Sequence, residues 1–253
     1  MPFDIVTIPC RADNYAYLLH KDGKTALVDA PEAAPISATL SERGWSLDEI
    51  WVTHHHQDHV EGVDALRAEH GALVRGAAND AARLPELNAA LTEGVPFEFA
   101  GSEVQVLDVS GHTIGHIAFY VPDAHAAFTA DSLMALGCGR VFEGTMDQMW
   151  ASLSKLAALP DNTLIYSGHE YTKANARFAV TIEPDNPDLL SRIEMINITR
   201  AKGAPTVPAA LSLEKATNPF LRAGLSDVKS LLNMSGESDA AVFAEIRRRK
   251  DSF

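Results

Sequence analysis

Along the first half of the chain, apolar positions fall into short β-type runs separated by helical stretches. Phe3 to Cys10 and Asn14 to Asp29 read as strands, the second folded into a hairpin at Asp22-Gly23, a pair suited to positive φ. Pro31 to Gly44 then reads as a helix, Ile50 to Thr53 as a short buried strand, Val60 to His70 as a helix and Ala72 to Ala77 as a further strand. Three β-rich runs follow, Val104 to Val109, Ile117 to Val121 and Ala126 to Thr129, then a helix from Met146 to Ala158 and a last strand from Thr163 to Tyr166. Strands interleaved with helices predict a layered α/β body. After His169 the texture changes. Tyr171 to Ile182, Asp188 to Lys202 and Glu237 to Lys250 show helical spacing, and no strand is expected beyond Tyr166. A boundary near Tyr171 to Ala174 therefore divides the chain into 1–172 and 173–253.

Composition narrows the chemistry. With 46% hydrophobic and 22% charged residues, the 253-residue chain has the mixture of an ordinary globular protein. No apolar run approaches the roughly 20 residues that span a bilayer, and the opening Met1-Pro2-Phe3-Asp4 lacks a basic flank and apolar core. The expectation is a cytoplasmic, monomeric protein with no membrane partner. A net charge of −13 opposes nucleic acid as a partner, because nonspecific affinity for phosphate backbones is largely cation exchange. Cys10 and Cys138 are the only cysteines, too few for a disulfide framework or a four-thiolate zinc site, so any metal must be held by histidine and carboxylate. Against the acidic background, Arg247-Arg248-Arg249-Lys250 forms a basic cluster that alone reads as a solvated helix face.

The strongest local signal is Thr53-His54-His55-His56-Gln57-Asp58-His59, directly after the apolar Ile50-Trp51-Val52. Side chains alternate at a strand end, so His54 and His56 point to one side and His55 to the other. Asp58 and His59 lie in the turn that follows, where the backbone swings a second donor pair toward the first; that arrangement suits two neighbouring cations. Three further donors also occupy strand ends: His112 in Gly111-His112-Thr113-Ile114-Gly115-His116, Asp131 after Ala126 to Ala130, and His169 in Ser167-Gly168-His169. Strands fix position while adjoining loops supply geometry, which makes strand ends natural places to gather a site. His116 reads instead as a core or supporting histidine, and His20, His70 and His125 as solvated ones near turns or element ends. Cys138, between glycines, has no dedicated base beside it and reads as packing.

These motifs, with Phe128-Thr129-Ala130-Asp131 and Gly168-His169-Glu170-Tyr171-Thr172, resemble the metallo-β-lactamase superfamily over about the first 170 residues. The resemblance implies an αββα sandwich and a centre of two divalent cations, Zn or alternatively Fe or Mn. It further implies that His54, His56 and His112 hold one cation, Asp58, His59 and His169 the other, and that Asp131 bridges. Five more segments resemble the glyoxalase II, or hydroxyacylglutathione hydrolase, family: Ile8-Pro9, Asp13 to Leu19, Gly137 to Thr145, Asn218-Pro219-Phe220-Leu221-Arg222, and the ending from Arg247 to Phe253. By that resemblance the C-terminal part is a small helical domain, the substrate is the thioester S-D-lactoylglutathione, and Arg140, Phe142, Tyr171, Arg247 and Lys250 contact its glutathione. Hydrolysis to glutathione and D-lactate is then the second step of methylglyoxal detoxification.

The chemistry follows from the donor set. Two cations sharing a water would lower its pKa to roughly neutrality, so the expectation is that a bridging hydroxide attacks the thioester carbonyl while the metal stabilises the oxyanion. A thiol of pKa about 8.5 leaves readily as thiolate, and no protein acid is obligatory. Asp58 is expected both to ligate and to orient the hydroxide. A persulfide dioxygenase, a nuclease, a β-lactamase and a metal-binding sensor without turnover stay open as weaker readings of the same frame.

Overall fold

The computed structural model describes all 253 residues, and the chain forms two compact units: Met1–Val109 with Ile114–Thr129, and Ser110–Thr113 with Ala130–Phe253. No helix is long and apolar enough to cross a membrane.

In the first unit, β1 (Asp4–Cys10), β2 (Asn14–Lys21) and β3 (Lys24–Val28) make an antiparallel meander. Helix α1 (Ala33–Arg43) ends at Gly44, whose φ of 66° lets its N–H turn back to the Leu40 and Ser41 carbonyls. Strand β4 (Glu49–Trp51) joins β3 in parallel, with Ile50 opposite Leu27. Where one helix was expected from Val60 to His70 there are two, α2 (Gln57–Val60) and α3 (Val63–His70). The break falls at Gly62, where a Cβ would stand 2.8 Å from Ala33 N and 3.1 Å from Ala30 O, so backbone approaches backbone there and a side chain is excluded. Parallel strands β5 (Leu73–Ala77) and β6 (Ala89–Leu91) complete a six-stranded sheet.

A second, antiparallel run follows: β7 (Phe97–Phe99), β8 (Ser102–Asp108), β9 (Ile117–Val121) and β10 (Ala126–Ala130). The two sheets meet around Trp51, which sets its ring edge-on to Phe97 and Phe99 at 5.2 and 5.3 Å and tilted to Phe119 at 5.4 Å. Trp51 is fully buried, and its Nε1–H donates to Glu49 at 2.7 Å, so the indole enters the core with its polar handle satisfied. Strands β6 and β7 have only three residues each, too few to show a period in sequence.

The second unit begins with a minimal hairpin, β11 (Leu133–Met134) and β12 (Gly137–Cys138). Helix α4 (Met146–Ala157) starts at a capping box: Thr145 accepts from Gln148 N while Gln148 accepts from Thr145 N. Such a cap is worth about 1 kcal/mol. Strand β13 (Leu164–Ser167) precedes α5 (Thr172–Ile182) and α6 (Pro187–Ala201), the latter capped by Asn186 with proline in its first turn. The expectation of no strand beyond Tyr166 fails at β14 (Ala209–Ala210), which pairs with β13. Two alanines carry no pattern; only the partner makes them a strand. Helices α7 (Leu211–Thr217), α8 (Ser226–Leu231) and α9 (Asp239–Asp251) finish the chain. Phe178, Phe220, Phe243 and Trp150 pack in series through this unit at centroid spacings of 5.9 to 6.1 Å.

Candidate metal centre

In the first unit the His54–His59 segment leaves β4 and enters α2. His54 Nε2 and His56 Nδ1 face each other at 3.1 Å. His55 turns away, its Nδ1 2.9 Å from Asp80, as strand alternation predicts. Asp29, which sequence reasoning missed, organises the imidazoles. Its carboxylate takes Thr53 N, Thr53 Oγ1 and His59 Nδ1, each at 2.8 Å. Because the Thr53 hydroxyl hydrogen is spent on Asp29, its oxygen accepts from His54 Nδ1 at 3.0 Å. Both His54 and His59 thereby carry their protons on Nδ1 and keep a lone pair on Nε2, the tautomer a cation requires. Asp29, His54 and His59 also bring one donor atom each within 4.8 Å of one another, but the hydrogen bonds given to Asp29 make it a support for ligands. Its only sequence signal was an acid closing a strand.

Asp58 is anchored by Asn14, from the Asp13 to Leu19 motif, whose Nδ2 donates to Asp58 Oδ2 at 3.0 Å and to Asp58 O at 3.1 Å. Asp58 Oδ2 lies 3.8 Å from His59 Nε2. His116 is fully buried and stacks on His54, rings 4.5 Å apart and 10° from parallel, in keeping with a core role. His20 is half-buried, its ring stacked on Trp45 at 4.2 Å and its Nδ1 2.9 Å from Thr25 Oγ1.

In the second unit a single oxygen, Asp131 Oδ2, lies 3.4 Å from His112 Nε2 and 3.3 Å from His169 Nε2. His112 Nδ1 donates to the Arg140 carbonyl at 2.8 Å, which again leaves Nε2 with its lone pair. The residues read as glutathione contacts all lie in this unit, in different settings. Phe142 is exposed beside the His112 ring at 5.2 Å, and Tyr171 stacks on His169 at 4.7 Å. Arg140 is exposed, with Nε 3.8 Å from Asp251. Lys250 lies over the rings of Phe178 and Phe253 at 5.3 Å and donates to Ala174 O at 3.3 Å. Burial, then the nearby charges of Arg247, Arg177 and Arg140, pull its pKa below the ordinary lysine range. Arg247, by contrast, is buried: it donates to Cys138 O at 2.9 Å and to Asp251 at 2.7 Å. Burial pushes the Cys138 thiol up to about 11, which makes it a poor nucleophile.

A sandwich whose histidines and aspartates gather at strand ends defines the class. The chain matches the Metallo-beta-lactamase superfamily over residues 12–169, and belongs to it. A solved structure titled TTHA1623 in a di-iron-bound form superposes with a TM-score of 0.62 at 25% identity, covering 85% of this chain and 98% of that one. Residues 170–253 match the Hydroxyacylglutathione hydrolase C-terminus. Relatives called hydroxyacylglutathione hydrolase in Ruegeria pomeroyi and Roseobacter denitrificans are 64% and 63% identical over the full length of both chains. Within the superfamily, the chain is thus a member of the hydroxyacylglutathione hydrolase family, a group of metallohydrolases.

Proposed function

We propose that the chain hydrolyses S-D-lactoylglutathione and similar 2-hydroxyacylglutathiones to glutathione and the free 2-hydroxy acid. His54, His56 and His112 would hold one divalent cation, Asp58, His59 and His169 a second, and Asp131 would bridge. The observation carrying this reading is the single Asp131 oxygen facing the Nε2 atoms of His112 and His169, one from each ligand set. The donor chemistry fits: the Nδ1 atoms of His54, His59 and His112 are spent on oxygen acceptors, so nitrogen lone pairs and carboxylates are what the site offers. Zinc suits such donors, as do iron and manganese. Bound there, the cations supply Lewis-acid activation of water and of the thioester carbonyl.

The protein's own groups do the rest. Asp58, held by Asn14, accepts a hydrogen bond from the attacking water and orients it. Arg140 and Lys250 offer positive charge to the carboxylates of the tripeptide, and Phe142 and Tyr171 offer apolar faces to its backbone. The thiolate departs without a protein acid, since its conjugate thiol has a pKa of about 8.5. Residues 1–172 carry the chemistry together with Arg140, Phe142 and Tyr171, and the helical 173–253 adds Lys250 to the recognition, in a cytoplasmic monomer that takes neither nucleic acid nor a membrane as partner. Hydrolysis of S-D-lactoylglutathione by purified protein, measured beside its metal content, tests this. Turnover with about two metals per chain is expected; a metal-loaded protein inert toward this thioester would sink the assignment.

A further inference from the structure

The β11–β12 hairpin has two residues per strand, too little ladder to fix its own shape. Its backbone is held instead by side chains from 40 to 109 residues away. Asn218 Nδ2 donates to Met134 O and Gly137 O, both at 3.0 Å. Asn175 Nδ2 donates to Ala135 O at 3.0 Å, and Arg247 to Cys138 O at 2.9 Å. Glu214 accepts from Leu136 N at 2.9 Å. Leu136 itself sits at φ 55°, a conformation that a residue with a side chain keeps only when its surroundings impose it. The clamps are cross-tied in turn: Glu214 also accepts from Asn218 Nδ2 at 3.1 Å and pairs with Arg192, which donates to Thr217 at 2.6 Å. Asn175, Glu214, Asn218 and Arg247 are all buried, where polar groups are costly unless matched.

The hairpin lies between Asp131 and Arg140, the residue whose carbonyl supports His112. Asp131 leads into it. On the way out, Gly139 N donates to Ser132 O at 3.1 Å, and a Cβ on Gly139 would stand 1.9 Å from Asp131 O and 3.0 Å from His112 Nδ1. The next residue, Arg140, supplies the carbonyl that takes the His112 Nδ1 proton. Moving the hairpin therefore moves Asp131 and the support of His112 together.

We propose that Asn218, with Glu214 and Asn175, is a positioning device for the metal centre: the helical segment sets the geometry of Asp131 and His112 through the Leu133–Cys138 hairpin. This gives the Asn218-Pro219-Phe220 motif a role separate from touching substrate, and it rests on the reading of Asp131 and His112 as ligands. The test is the rate at which full-length, zinc-loaded protein loses metal to a chelator, read beside the thermal midpoint of the metal-free form. Supports of metal ligands typically govern affinity by 10- to 100-fold, so Asn218→Ala is expected to release metal about tenfold faster or more. Asn175→Ser, which loses one hydrogen bond, should shift release less in the same direction, and it decides the matter alone if Asn218→Ala fails to fold. Val228→Ala, an apolar truncation buried in α8, should lower the metal-free midpoint without speeding release. Wild-type release in both asparagine variants would overturn the proposal, as would equal acceleration in Val228→Ala. A wild-type protein that takes up no metal would instead overturn the reading of the centre.

Discussion

The two units hold their donors by opposite means. In the first, the expected donors lie within His54–His59, and their support, Thr53 and Asp29, comes from the same strand end and its neighbour. In the second, His112, Asp131 and His169 are far apart in sequence, and the turn linking Asp131 to the support of His112 is clamped by residues as distant as Arg247. The first arrangement follows from local backbone geometry; the second draws on hydrogen bonds from the helical segment. Disturbances at the C-terminal end should therefore be felt by the second donor set and not the first.

The largest effect should come from the donor between two histidines. Asp131→Ala should cost hydrolysis and metal occupancy together, by on the order of 100-fold or more, since a ligand matters at least as much as the groups that support it. Full metal loading with unchanged kcat would remove Asp131 from the site. Asp29→Asn is the matched experiment in the first unit. It cannot serve all three of the donors that Asp29 accepts from, so metal affinity should fall by roughly tenfold or more without any contact to substrate. Equal affinity in competition with a chelator would mean that the tautomers of His54 and His59 are set otherwise.

Lys250→Ala should raise KM by about tenfold and leave kcat near its starting value, because a charge-assisted hydrogen bond is worth about 1.5 to 3 kcal/mol and is made alike to substrate and transition state. A thioester lacking the glutathione carboxylates should show no such defect. With its pKa lowered by burial and by Arg247, Arg177 and Arg140, Lys250 gives up its proton below the usual lysine range. KM for the anionic substrate should accordingly climb at alkaline pH in the wild type and stay flat there in Lys250→Ala; parallel profiles would take Lys250 off the ligand.

The smallest effect is expected at Cys138→Ala, which should keep most activity. An acyl group trapped on this thiol would reverse the mechanism. Its raised pKa also has a sign: the stability tied to the neutral thiol is complete below the unfolded value of 9.0 and is lost as pH rises through about 11. Cys138→Ala should flatten that part of the alkaline unfolding curve, as followed by circular dichroism.

The same contrast explains what could be read from the chain. Strands β1 to β5 were legible from their apolar β-type runs, whereas three-residue β6 was not, and His55 separated from His54 and His56 because side-chain alternation along extended backbone is a local rule. The short β14, the helices α7 and α8, and the Gly62 break did not, since they depend on partners rather than on periodicity. Arg247 shows the limit best. The basic cluster reads as a solvated helix face, and by resemblance as a substrate contact, but nothing in sequence could reveal that the Arg247 guanidinium is spent on Cys138 O and Asp251.

Gly139 carries a consequence for how such a loop can diverge. With Asp131 O only 1.9 Å from where a Cβ would be, no side chain is admissible there, whatever thiol the loop receives. Its neighbours are under no such constraint: the Arg140 side chain is 63% exposed and Phe142 is 61% exposed. On the proposal that Arg140 and Phe142 contact the substrate, substitutions that retune ligand preference would fall at these two tips at little cost to folding, while position 139 stays glycine. The loop is a fixed hinge with exchangeable ends, and libraries aimed at new thioesters belong at 140 and 142.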